Sequence, residues 1–378
     1  MQTHLITTEE KLVSLKDSWN NLIRNNPEIN TPFFSWDWFY RCWLHFGKPA
    51  RQELAVITVE ENEKLIGILP LVRGYKKSSG ISYRTLEFCN TGLIPRNTLY
   101  FDSVQNIDSI LHAVSRQIFA EKKHWDMLEL VNIPQASRFH DYWLTSQPDN
   151  PLAIIQTKGL TSPHVLCETS YEEYFAKYGS KDARRRSKRN IERFSAENKS
   201  WGMKIFETEK EIQQGIDLAL EIRSNSWKGT FRNKAYIYFY RELFAELARR
   251  NEVLIPILML DEIPLAAEFI TGSDGNFFLH TNDYDQRFRE TAPGSCLLHF
   301  VLQKAFERHW KTFDFTGDDY DYKKDWSNGV RYHSTFQIFH NGLKSRFLYS
   351  AKTFWLPLLR KILRKPEPND LIFHKKQY

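Results

Sequence analysis

At 378 residues the chain is long for one hydrophobic core, and domain-size expectations favour two. It is 42% apolar and 15% aromatic, which excludes a disordered or low-complexity protein. The net charge of +6 is concentrated. Lys181–Arg193 carries seven basic and two acidic residues, and Lys344–Tyr378 carries nine and two. The rest of the chain is therefore acidic, which argues against a body that grips nucleic acid all over and leaves two local anion-facing patches.

The opening MQTHLITTEEKLVSL lacks a basic start followed by an apolar block, so no signal peptide is expected. The longest apolar run, Val253–Leu260, is too short to span a bilayer. Cys42, Cys89, Cys167 and Cys296 are scattered without a C-x-x-C pair, which suits free thiols in a reducing cytoplasm.

In chain order, WFYRCWLHF (Trp38–Phe46) reads as a helix. Leu54–Leu71 follows as an apolar strand, an acidic turn and a second apolar strand. Ser109–Leu130 is an amphipathic helix running into an alternating strand. The same series then recurs. YFYRELFAEL (Tyr238–Leu247) repeats Phe-Tyr-Arg at an offset of 200, and Leu254–Ile270 repeats the hairpin at that offset. Ser295–Phe315 repeats the helix and strand at an offset nearer 185, sharing a His-Trp pair. The shorter offset requires extra residues in the first copy around Tyr75–Asp108. The expected organisation is an α/β chain with two copies of one unit, residues 1–165 and 166–345, each a mixed sheet flanked by helices. A basic tail occupies residues 346–378.

Between the copies, KDARRRSKRNIERFSAENKSWG is predicted helical with Gly202 as its stop, its cations wrapping most of the circumference. It reads either as a solvated face or as a grip for an anionic acceptor, CoA phosphates or RNA. IDLALEIRSNSWKG places Trp227 and Lys228 just after a helix, where Trp227 either lines a cleft or closes the core.

The second copy has one feature the first lacks. RFRETAPGSCLLHF sets Pro293 and Gly294 at a helix start, with Ser295 next and Arg287 and Arg289 upstream. Free N–H groups of a first helical turn and two cations are what a pyrophosphate requires, although an ordinary helix start reads the same. DFTGDDYDYKKDW (Asp314–Trp326) then packs five carboxylates and two lysines into one stretch. Asp318, Asp319 and Asp321 do not fit the calcium-loop spacing and no histidine lies among them, so no metal is expected. Gly317 permits a sharp turn after the strand, which sets the stretch over the strand's carboxyl end, where α/β sheets commonly bind ligands. In PLAAEFI, Glu268 is the lone charge of an apolar strand, and is either solvent-facing or has a raised pKa. His280 reads as a core histidine. In the tail, Trp355, Leu358, Leu359, Ile362 and Leu363 face away from Arg360, Lys361, Arg364 and Lys365. That pattern suits an interfacial helix on an anionic membrane or a helix docked on its own body.

Three pieces in order, SWKG (Ser226–Gly229), NDYDQRFRETAPGSCLL (Asn282–Leu298) and DFTGDDYDYKKDW, resemble the GNAT acyltransferase superfamily, in its CelD-like branch related to the FemAB peptidoglycan transferases. The resemblance implies tandem GNAT-like domains, an acyl-CoA donor without a metal, and direct attack by an amine or hydroxyl on the thioester. It implies donor contacts at Arg287, Arg289, Pro293, Gly294 and Ser295, and acceptor contacts at Trp227, Lys228, Tyr284, Asp285, Asp318 and Trp326. For the chemistry, Lys323 is the candidate charge stabiliser, Tyr322 the acid or positioning group, and Asp314 or Glu268 the base. The implied acceptor is a small molecule or lipid-linked sugar of cell-surface polysaccharide, handled in the cytoplasm or at the inner membrane, with the tail as peripheral anchor. Two other functions fit the same residues. One is a transferase using aminoacyl-tRNA to build peptidoglycan cross-bridges, with the basic helix gripping tRNA. The other is a non-catalytic GNAT scaffold on an anionic membrane or partner.

Overall fold

The computed structural model describes residues 1–78, 80–89, 92–145, 152–179, 185, 189, 192, 201–317 and 320–355. It divides into two compact units that interleave along the chain: Met1–Ile29, Cys42–Gly159 and His333–Tyr378 form one, and Asn30–Arg41 with Leu160–Tyr332 the other. The boundary expected near residue 165 falls inside a strand. The chain leaves the first unit within β7 (Ala153–Leu166) and returns to it within β13 (Gly329–Phe339).

The first unit contains β1 (Gln2–Ile6), α1 (Glu9–Ser14), α2 (Lys16–Arg24), β2 (Glu53–Glu61), β3 (Lys64–Ser78), β4 (Ile81–Phe88), β5 (Tyr100–Phe101), α4 (Ile107–Ala120), β6 (Met127–Pro134) and α5 (Arg138–Thr145). Its strands follow the order β1-β2-β3-β4-β6-β13. All pair antiparallel except β4 with β6, which run parallel across the α4 crossover. The additional residues of this copy supply β5, which pairs with β3. Helix α3 (Trp36–Cys42) ends where the two units meet in sequence.

The second unit repeats that plan with α6 (Tyr171–Tyr178), β8 (Trp201–Phe206), α7 (Ile212–Ser224), α8 (Ala235–Ala248), β9 (Val253–Leu260), β10 (Ile263–Ser273), β11 (Asn276–Tyr284), α9 (Pro293–Glu307), β12 (Thr312–Asp314) and the short α10 (Asp321–Lys324). Its order is β8-β9-β10-β11-β12-β7, with β11 and β12 parallel and the other pairs antiparallel. In each unit the sixth strand comes from the end of the other copy: β13 completes the first sheet and β7 the second.

Local chemistry accounts for the turns. Asn62 and Glu63 both adopt positive φ between β2 and β3, and Asp274-Gly275 does so between β10 and β11. Paired left-handed residues match the twist of two-residue hairpins, and Asp-Gly is a favoured pair for them. Each unit has its own core. Trp125, Trp143, Leu128 and Ile118 lie in the first, and Leu297, Val301, Phe313 and Phe315 in the second.

Trp201 and Gly202 open strand β8, so Gly202 does not end a helix as the sequence reading expected. A glycine beyond a basic run resembles a helix stop, but here the residues after it pair with β9. Of the basic helix before it, Arg185, Arg189 and Glu192 are helical and exposed, and the remainder lies outside the described residues. The tail is described as far as Trp355: α11 (Leu343–Ser350) is followed by one wider helical turn, Ala351–Trp355. The amphipathic segment expected beyond it lies outside the described residues.

Candidate functional site

β10 and β11 pair with Glu268 opposite Asn282 and Ala266 opposite Tyr284. Alternation puts these four side chains on one face of the sheet, the face on which Ala266 and Tyr284 pack with α9. The register then slips, because Phe269 faces Thr281 while Ile270 faces Leu279, leaving His280 as the extra residue. Such bulges bend a strand and re-aim its side chains. β12 pairs with β11 only as far as Phe278 and Asp314. There the chain turns away through Thr316 and Gly317, both at positive φ, and Thr316 Oγ1 donates to the Leu279 carbonyl at 2.5 Å. Among the described residues no strand covers β11 on that side from His280 to Tyr284. The sheet opens there into a notch.

Glu268 stands at the notch. It is 2% exposed, and among the described residues its Oε2 has no hydrogen-bond partner. Burial pushes its pKa up to about 8, because an ionised carboxylate loses its hydration there. Across the strands, Asn282 Nδ2 donates to the Tyr322 hydroxyl at 3.3 Å. Tyr322, on α10, is 41% exposed; desolvation of its hydroxyl raises its pKa, with the nearby Glu268 charge adding to it. It stacks on Tyr320. A buried carboxyl and a phenol held by an amide thus share one corner, and their pKa values fall on opposite sides of an acyl-transfer step: one group ready to accept a proton near pH 8, the other ready to give one.

The opposite face of β11 carries Asp283, which accepts from Arg223 Nη1 at 2.9 Å and lies 3.2 Å from Lys228 Nζ. Lys228 Nζ also donates to the Asn282 carbonyl at 2.5 Å. Burial lowers the Lys228 pKa, with the Asp283 charge opposing it. Trp227 beside it is 69% exposed.

Asp314 is fully buried and occupied. It accepts from Ser162 Oγ at 2.6 Å, from the Thr316 backbone N–H at 2.9 Å and from Arg331 Nη1 at 2.5 Å. Lys323 is buried too. Its Nζ donates to the Thr316 carbonyl at 2.5 Å and lies over the Tyr320 ring. Both therefore fasten the turn at the notch mouth. Trp326 is a core residue, stacked on Phe175, and its carbonyl accepts from the Tyr174 hydroxyl. Asp318 lies outside the described residues. His280 bonds Thr271 Oγ1 at 2.7 Å and packs against Phe33 and Trp38.

At the other side of the notch, Ala292 adopts a left-handed conformation and α9 begins at Pro293 without a side-chain cap. The backbone N–H groups of Ser295 and Cys296 bond back to the Ala292 carbonyl. A Cβ on Gly294 would lie 3.5 Å from the Tyr284 ring, so this turn sits against the same face as Glu268. Asp285 is buried and caps the preceding turn. Burial works to raise its pKa, but hydrogen bonds from the Arg287 side chain and backbone prevail and hold it below the ordinary range. Arg287 is 65% exposed while gripping Asp285 with two nitrogens, and Arg289 is 73% exposed beside Glu290. Exposed Arg287 and Arg289 thus sit with Asp285 on the turn before α9, Trp227 and Lys228 with Asp283 on the opposite face of β11, and Tyr284, Pro293, Gly294 and Ser295 with Glu268 and Tyr322 on the face that opens at the notch. Asp314, Lys323 and Trp326 lie beneath it as supports. The sequence reading assigned no role to Asn282, whose link to Tyr322 depends on strand register rather than on any local pattern.

Among the described residues, no cluster of three or more His, Cys, Asp or Glu side chains is placed to hold a metal ion. No helix among them is long and apolar enough to cross a membrane.

The sequence matches the acetyltransferase (GNAT) domain family over residues 181–324, the stretch that contains the notch. No curated protein sequence matches the chain. Among solved structures, it is similar to FemX, at 11% identity and a TM-score of 0.60, covering 93% of this chain and 99% of that one. It is also similar to L-PGS from Bacillus licheniformis, at 10% identity and a TM-score of 0.50 over 92% and 96% of the two chains. A conserved protein of unknown function from Bacteroides thetaiotaomicron has the same TM-score, at 10% identity over 89% and 100%. At these identities the likeness is one of fold. The chain therefore shares its fold with FemX, and in its second half carries a stretch that matches the GNAT domain family.

Proposed function

We propose that the second unit is an acyltransferase that moves an acyl group from acyl-CoA to an amine or hydroxyl. The observation that carries this reading is Glu268, a buried carboxylate with an unpartnered oxygen, facing the notch beside a phenol held in its protonated form. The acceptor enters with its nucleophile toward Glu268, which takes the N–H or O–H proton as the nucleophile attacks the thioester carbonyl. The open edge of β11 offers backbone N–H groups to the developing oxyanion. When the C–S bond breaks, Tyr322 gives its proton to the leaving thiolate, and Asn282 keeps the phenol in place. The positive end of the α9 dipole, with Arg287 and Arg289 on the preceding turn, supports binding of the donor's pyrophosphate. On the resemblance given above, we take the acceptor to be an amino sugar of a cell-surface polysaccharide, free or lipid-linked. The chemistry is then cytoplasmic, where acyl-CoA is available.

Thermal unfolding with acetyl-CoA and with a longer acyl-CoA tests the donor. At a hundredfold excess over its dissociation constant a ligand stabilises by about 2.7 kcal/mol. Loss of that shift when Arg287 and Gly294 are replaced supports the donor position. Absence of a shift with every acyl-CoA, followed by stabilisation with charged tRNA, would transfer the assignment to an aminoacyl donor.

A further inference from the structure

The C-terminal part of the first unit exposes an apolar stripe unrelated to the notch. On α11 and the turn after it, Leu343 is 88% exposed, Phe347 53%, Phe354 59% and Trp355 53%. Leu343, Phe347, Ser350 and Phe354 recur at i, i+4, i+7 and i+11, the spacing of one helical face. The opposite face is already used: Ser345, Leu348 and Ala351 are buried, and Leu348 packs with Tyr83, Met127 and Phe339. The stripe is therefore in addition to what folding requires.

Its flanks have one sign of charge. Between Leu343 and Trp355 the sequence holds three cations, Lys344, Arg346 and Lys352, and no acid. Lys344 reaches back 3.1 Å to Asp126, and Arg346 is exposed. We propose that this stripe docks the protein on the headgroup region of an anionic bilayer, with Leu343, Phe347, Phe354 and Trp355 entering the interface and the cations meeting lipid phosphates. A self-complementary contact with a second copy would bring each cationic flank against another. The chain's own last residues, 366–378, balance two lysines against two acids, so folding them over the stripe would leave its cations without a counter-charge. Only an anionic partner satisfies both the apolar face and its flanks.

Sedimentation of the full chain with phosphatidylcholine vesicles, with and without phosphatidylglycerol, tests the proposal without any assay of transfer. The wild type is expected to bind the anionic vesicles selectively and to release at high salt. F347E/F354E is expected to weaken the partition more than about tenfold, and R346S by about fivefold. Far-UV circular dichroism checks that the variants stay folded, and R346S alone still tests the charge if the double variant does not. Equal partition onto neutral and anionic vesicles, or undiminished partition of F347E/F354E, would overturn it. So would a wild-type dimer that F347E/F354E makes monomeric, since the stripe would then be covered by a second copy.

Discussion

Replacing Glu268 by Gln separates what the residue does for chemistry from what it costs the fold. A carboxyl whose pKa stands at about 8 in the folded chain, against an ordinary 4.5, binds its proton more tightly folded than unfolded. Below pH 4.5 both states are protonated and nothing is lost. Between 4.5 and 8 the unfolded chain ionises while the folded chain does not, so stability falls as pH rises through that window. At about 1.36 kcal/mol for each tenfold change in acid dissociation, the full loss is about 5 kcal/mol. Most of it, about 3 to 4 kcal/mol, falls between pH 5 and pH 8. A glutamine does not ionise and escapes it. Urea unfolding of wild type and E268Q at the two pH values should therefore show the variant gaining about 3 to 4 kcal/mol on the wild type between them. The comparison uses the change with pH, so the amide's own hydrogen-bonding needs cancel. Parallel pH profiles for the two proteins would refute the buried, unpartnered carboxylate and, with it, the proposed base. If transfer is measurable, the wild-type rate should rise with pH toward a limb near 8, and E268Q should lose that limb together with most of its rate.

Tyr322→Phe removes the phenol proton and should lower kcat by about a hundredfold or more with little change in urea midpoint. Asn282→Ala should act in the same direction but less, through a poorly held phenol, and the rate of Y322F should be insensitive to it. Asp314→Ala leaves Arg331, Ser162 and the Thr316 N–H without their acceptor and should cost about 3 kcal/mol by urea unfolding, with transfer lost only as the fold is lost. Lys323→Met frees the Thr316 carbonyl and should cost about 1–3 kcal/mol on the same assay. A rate that collapses in K323M at full stability would instead restore Lys323 to the reacting atoms.

The duplication was readable from residues because a repeated order of helix, hairpin, helix and strand leaves matching periodicities. Phe-Tyr-Arg at Phe39 and Phe239 falls on α3 and α8, and the two hairpins are β2–β3 and β9–β10. Glu268 was also detectable, as a lone charge in an apolar strand. What escaped was everything set by pairing across the sheet. Alternation tells which face a residue takes but not which strand lies beside it, so neither Asn282 at Tyr322 nor Arg331 at Asp314 had a local sign. Trp326 shows the converse: an aromatic in a charged stretch resembled a site residue, yet its ring fills the core. A charged neighbourhood in sequence says little about where a side chain turns.

The exchange of last strands has a consequence for how the protein is made. β6 emerges early, but its outer edge stays unpaired until Ser334 and Phe336 arrive to meet Ile133 and Leu130. At about 5–20 residues per second, the intervening chain takes about 10 to 40 s to synthesise. Throughout that interval the first sheet presents open backbone donors and acceptors, the kind of edge that templates aggregation. Folding of the early half is thus timed by translation of the late half, and a nascent-chain chaperone has its longest task here. Cutting the chain between the copies yields two sheets, each lacking the strand that closes it.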